Sequence, residues 1–171
     1  YIKSQSSYLY VLEQSEGSRC TQLSRYDSST LDKKTIELLP YGGSRTSVWA
    51  LNCYASVDGM AVSADSVLCI GTTIDQSQYD NVTSDTPHNI YLTITPVSDF
   101  SKEATSVKYL TNYTGNGKSF MGVKITPITE NRFMISWEEY ENTDDSSSEN
   151  YAAADDSLSS STLHYLSLIH I

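Results

Sequence analysis

Two stretches of this chain spell out the same hairpin, about 66 residues apart. In Arg132–Glu138 the residues Phe133, Ile135 and Trp137 alternate onto one face, the two-residue period of a half-buried strand. Met121–Ile125 reads as the strand before it, and 126–131, with Pro127 and Asn131, supplies turn chemistry between the two. Upstream, Met60-Ala61-Val62 leads through Ser63-Ala64-Asp65 into Ser66–Thr72. The shift lays Val62 on Ile128, Asp65 on Asn131, and Val67-Leu68-Cys69 on Phe133-Met134-Ile135. A chain that repeats a hairpin at fixed spacing builds its fold from copies of one unit.

The flanking segments extend the unit. After each hairpin comes a polar loop, 75–87 and 141–161. Next comes a strand of the form x-Tyr-Leu-Ser/Thr: Ile90–Ile94 and His164–Leu168, with Thr21–Tyr26 a weaker match. Strands at Thr35–Leu39 and Ser106–Leu110 then run into glycine turns, Gly42-Gly43 and Gly115-Asn116-Gly117. Tyr8–Glu13 takes the second-strand place of the earliest unit. The order is therefore strands two to four of one unit, four of a second and about three of a third, with a period of roughly 66–74 residues. No segment carries convincing helical periodicity.

A repeat of four antiparallel strands is the signature of a propeller blade. The expected fold is all-β, with antiparallel four-stranded blades forming about two and a half blades of a β-propeller. A β-sandwich is the alternative. The whole of 1–171 is one partial domain with units near 1–45, 46–115 and 116–171, and 141–161 is expected to be a flexible acidic loop. That loop is Ser-, Asp- and Asn-rich and holds too little apolar surface to offset its ordering entropy. The start at Tyr1, already inside strand-like sequence, is what an interior fragment looks like. The tail Ser167–Ile171 looks like a translated sequencing adapter, which would place the native end at Leu166.

Composition narrows the function classes. Thirteen tyrosines stand against three Phe and two Trp, and with Ser and Thr they suit pleated, half-exposed strands. The formal charge of −10 repels phosphate backbones and anionic lipid, so no nucleic-acid partner is expected. No apolar run is long enough for a membrane-spanning helix, and no signal peptide is visible. Cys20, Cys53 and Cys69 form no Cys-x-x-Cys motif and read as small buried hydrophobes, although a Cys20–Cys53 bridge remains open in an oxidising compartment.

Each local motif has a plainer reading than the chemistry it suggests. Thr114–Ser119 ends in Gly-Lys-Ser, but Asn112 stands where a phosphate loop needs glycine, and a strand follows instead of a helix. Glu138, Glu139, Glu141, Asp144 and Asp145 lack the spacing and glycine of a calcium loop and read as a solvated charged loop. No second carboxylate on a rigid strand completes a glycosidase pair. Ser56-Val57-Asp58-Gly59 echoes the Asp-box of sialidase propellers without its Thr-Trp. His88, His164 and His170 show no metal spacing, and no Gly-x-Ser-x-Gly is present, so neither a cofactor nor a catalytic set is expected. Asn81-Val82-Thr83 and Asn112-Tyr113-Thr114 match the glycosylation pattern at a frequency expected by chance. Trp137 reads as core. Trp49 and Tyr54 are the candidate ligand-contact residues, as aromatic platforms.

The hairpin Val123–Glu139 followed by Leu163–Leu168, with its weaker upstream copies, resembles the repeats of bacterial secreted or cell-surface β-propeller proteins. The resemblance implies a non-catalytic binding or scaffold module, extracellular or on the cell surface, with a carbohydrate or protein ligand and the remaining blades of the same chain as partners. The alternative it implies is a fragment of a propeller enzyme acting on carbohydrate, a glycosidase or lyase. Ring closure stabilises a propeller, so an incomplete set of blades is marginal alone. The 171-residue chain by itself is expected to aggregate or stay partly unfolded, and a cooperative, monomeric thermal transition would contradict the fragment reading.

Overall fold

The structure is a computed structural model, and it describes residues 1–14, 21–38, 54–73, 89–114, 118–141 and 161–169. Among the described residues every regular element is a β-strand. The first sheet holds β1 (Ile2–Gln5), β2 (Tyr8–Gln14), β3 (Thr21–Asp27) and β4 (Lys33–Glu37). A second holds β5 (Tyr54–Val62), β6 (Ser66–Thr73), β7 (Asn89–Pro96) and β8 (Ser106–Tyr109). The third holds β9 (Lys118–Thr129), β10 (Arg132–Glu141) and β11 (Ser161–Ile169). Each sheet is an antiparallel meander in which every strand pairs with its neighbour in sequence.

The repeated hairpin is visible in all three. Two residues separate the paired ends: Ser6-Ser7 between Gln5 and Tyr8, Ala64-Asp65 between Ser63 and Ser66, and Glu130-Asn131 between Thr129 and Arg132. Ser6 turns the first with a φ of 53°, and the Ser63 amide donates to the Ser66 carbonyl at 2.9 Å in the second. Counting from these turns, Leu9, Val67 and Phe133 are equivalent, as are Val11, Cys69 and Ile135. Val67 on Phe133 is the alignment read from the sequence.

Two expectations need correction. The first sheet has four strands, not three: Ile2–Gln5 pairs with β2 although Lys3, Ser4 and Gln5 give it little strand character. The two Tyr-Leu strands are also not in the same register. Tyr91 lies opposite Gly71, whereas Tyr165 lies opposite Ser136, so His164 and not Tyr165 is the counterpart of Tyr91. A one-residue slip sends a side chain to the other face. Tyr91 is accordingly buried, while Tyr165 is exposed.

The sheets stack in sequence order. Tyr10, Leu12 and Leu23 of the first sheet pack against Met60, Val67 and Cys69 of the second. The opposite face of the second sheet, with Leu68, Ile70, Ile90 and Leu92, packs against Val123, Ile125, Phe133 and Ile135 of the third. Alternate residues of β6 thus feed two different cores, which is why Val67–Ile70 reads as an unbroken apolar run. Three stacked sheets differ from the two of a β-sandwich. The leading strands are neighbours too, with β5 beside β1 and β9.

β10 pairs irregularly with β9 between Ser136 and Glu138, so that Gly122 and Val123 share the place opposite Trp137. Gly122 sits there with φ +62°, the left-handed region that a bulge of this kind requires. A Cβ built on it meets nothing within 4 Å, so the constraint is the backbone and not space. Gly122→Ala is therefore expected to destabilise by about 1 kcal/mol and Gly122→Asn by less, read as a shift in urea midpoint at unchanged slope.

Candidate functional site

The densest meeting of polar chemistry lies between the second and third sheets. Asn89 opens β7 in a buried position. Its Oδ1 accepts from Thr111 Oγ1 at 2.9 Å and from the Tyr113 amide at 2.7 Å, and Thr111 Oγ1 accepts from the Ile90 amide at 2.9 Å. These bonds pin the segment after β8 and direct Tyr113 across to the third sheet. There its phenol donates to Glu139 Oε2 at 2.6 Å.

Glu139 is where it is because β10 keeps its alternation past Trp137. It has the parity of Phe133 and Ile135 and so points toward the second sheet, where an acidic residue needs a donor. Opposite on β11, His164 pairs with Trp137, and the two rings stack with centroids 5.3 Å apart and planes 9° apart. His164 Nε2 lies 3.7 Å from Glu139 Oε2, within ion-pair reach when the ring is protonated. A protonated imidazole is also attracted by the indole face beneath it.

Tyr113 is pushed up to about 12, first by desolvation and then by its hydrogen bond to Glu139. The phenol therefore stays a donor at neutral pH. Glu139 is held by that donor and flanked by His164. Chemically the arrangement is a clasp between two sheets, with a carboxylate as its shared acceptor.

Among the described residues no group of three or more His, Cys, Asp or Glu could hold a metal ion. Cys69 is a free, fully buried thiol whose burial pushes it up to about 12, which keeps it protonated. A second feature is a cup of about 450 Å³ on the outer face of the first sheet, lined by Leu9, Val11, Tyr26 and Leu31 with Ser4 and Ser28.

Of the residues singled out from sequence, Trp49 lies outside the described residues. So do the glycine turns, residues 142–160 of the acidic loop, His88, His170, Cys20 and Cys53. Tyr54 opens β5 opposite Thr72, and its side chain is also outside the description. Trp137 is core, as read. Glu138, Glu139 and Glu141 belong to strand β10 and not to a solvated loop, because the strand continues past Trp137. Sequence reasoning missed Tyr113 and Glu139. The signal for Glu139 was present: it continues the Phe133, Ile135, Trp137 alternation. Tyr113 gave none, since Asn89 places it from 24 residues away.

Comparison with known proteins finds no matching family model, no matching curated protein and no matching solved structure.

Tyr113→Phe removes a donor to a carboxylate and is expected to cost about 1–3 kcal/mol in chemical denaturation. The pH dependence has a definite sign. Because the folded phenol is raised above its unfolded value of 10.0, its contribution is complete below about pH 10 and is lost as pH rises through about 12. In Tyr113→Phe this part of the alkaline loss should vanish, as read by thermal melts across that window.

Proposed function

We infer that the three sheets are consecutive blades of a β-propeller and that the chain works as a non-catalytic binding or scaffold module, outside the cell or on its surface. The observation that carries the reading is the stacking order. Sheets follow one another face to face in sequence order, and the leading strands β1, β5 and β9 lie side by side, as strands around a common axis do. The repeat's resemblance to secreted and cell-surface propellers supports the setting. The non-catalytic half is supported by what Glu139 does: this inward-facing carboxylate accepts from Tyr113 and joins two sheets. The ligand of such a module is a carbohydrate or a protein.

The reading is tested by incubating the folded chain with a panel of soluble polysaccharides and following both retention and reducing-end release. Saturable retention with no release over a day is the expected result. Release of reducing ends that survives repurification would replace it with the enzyme reading.

A further inference from the structure

Two buried nitrogens beside the Tyr113–Glu139 bond have no hydrogen-bond partner. One is the indole Nε1 of Trp137, a residue only 9% exposed, and the other is His164 Nε2. Burying a polar atom unpaired costs free energy, and native proteins leave few such atoms. Here two of them stand around one carboxylate. His164 Nε2 is 3.7 Å from Glu139 Oε2, beyond hydrogen-bond length. Burial and the Glu139 bond push the Tyr113 phenol up, and the indole N–H opposes them from close by without bonding to it.

Strand register explains why these groups converge. Trp137 and Glu139 are two apart on β10 and share a face, and β11 sets His164 directly opposite Trp137. Asn89 brings Tyr113 in from the second sheet. The cluster therefore lies between the second and third sheets and away from the outer faces.

What the cluster lacks has a definite chemistry. The indole N–H needs an acceptor, the carboxylate takes a donor, and imidazole Nε2 serves as either according to its tautomer. An anion supplies acceptors but is repelled by Glu139. An ammonium pairs with Glu139 but offers the indole no acceptor. A hydroxyl does both at once: its hydrogen goes to Glu139, and its two lone pairs take Trp137 and His164. The Tyr113 phenol is already half of such an occupant. It donates to Glu139 Oε2 at 2.6 Å but leaves both nitrogens unpaired.

We propose that this cluster is a binding site for a hydroxyl of a neutral carbohydrate, which displaces the Tyr113 phenol from Glu139 and completes the hydrogen bonds of Trp137 and His164. The step rests on the binding-module reading and names its ligand. Solvent reaches neither nitrogen, so the ligand enters as Tyr113 turns out. Asn112 and Thr114 are exposed on either side of Tyr113 and carry an amide and a hydroxyl. Such a rim suits a ring bearing several hydroxyls better than the single hydroxyl of a serine or threonine side chain. With no ligand bound, Tyr113 fills the place.

The test is NMR on the full chain with the methyl glycosides of glucose, galactose and mannose as probes. It reads the indole N–H of Trp137 and saturation transfer to the probe. With two tryptophans in the chain, Trp137→Phe assigns the resonance. A saturable indole shift in the millimolar range is expected with at least one glycoside and none with sodium acetate or ammonium chloride. Trp137→Phe and Glu139→Gln should each weaken binding by at least about 10-fold, read by saturation transfer. Tyr113→Phe should bind tighter although it is the less stable protein, because no phenol then competes for Glu139. A merely structural role for Tyr113 would not tighten binding. An indole that no glycoside moves overturns the proposal, as does one that shows only a contact to bound water. A response to acetate, to ammonium or to N-acetylthreonine amide in place of the glycosides overturns the carbohydrate assignment. Glycoside binding that survives both Trp137→Phe and Glu139→Gln overturns the site and leaves the binding-module reading standing, whereas release of reducing ends from polysaccharide removes that reading itself.

Discussion

Everything in this molecule depends on the second sheet being buried on both faces. A sheet with one apolar face needs one partner, and a sheet with two needs a partner on each side. The β6 run Val67-Leu68-Cys69-Ile70 commits the chain to the second case, since any face left open would expose a row of side chains that are now fully buried. Each such side chain contributes about 1.5–3 kcal/mol on burial. The flanking sheets are held by what the central one needs covered, and their own outer faces are only partly resolved into polar surface. Ser24 shows the alternative solution: it is a buried residue on the first sheet's outer side, satisfied by Thr35 at 2.8 Å and Glu13 at 3.2 Å.

Apolar packing does not by itself fix how one sheet sits on the next, because it has no direction. Polar ties crossing each boundary supply one. Between the first and second sheets, Tyr91 Oη donates to Thr21 Oγ1 at 3.0 Å, and Arg25 Nη1 donates to the Val97 carbonyl at 2.9 Å. The same guanidinium lies between the rings of Tyr8 and Phe100, at 4.4 and 4.7 Å. Between the second and third sheets Tyr113 and Glu139 perform the task. At the position equivalent to Tyr91 the third sheet has His164, which stacks on Trp137 of its own sheet, so the same strand slot ties two sheets in one copy and packs within its sheet in the other.

The fold was legible in the sequence because its dominant signals are local. Strand alternation around Phe133 and the two copies of the hairpin are read from neighbours, and the structure keeps both. The errors came where local pattern is weak or misleading. Ile2–Gln5 is short and polar, and only pairing with β2 makes it a strand. The Tyr-Leu strands look alike, yet their register is set by partners on β6 and β10, which the sequence does not align for the reader. The clasp was half legible: Glu139 follows a visible period, but Tyr113 is positioned by Asn89 through backbone and amide bonds that leave no trace in spacing.

The meander order has a kinetic consequence. Every strand pairs with its sequence neighbour, and the tightest connections in each sheet span two residues. Hairpins of that kind form in about 1–10 μs, long before distant segments meet. Individual sheets are thus early, local products of folding, and the rate-limiting event is the matching of one finished face to another across long stretches of chain. The second sheet, needing two such matches, is the last to be fully shielded, and the lifetime of its uncovered faces sets the interval during which the nascent protein is vulnerable to wrong partners.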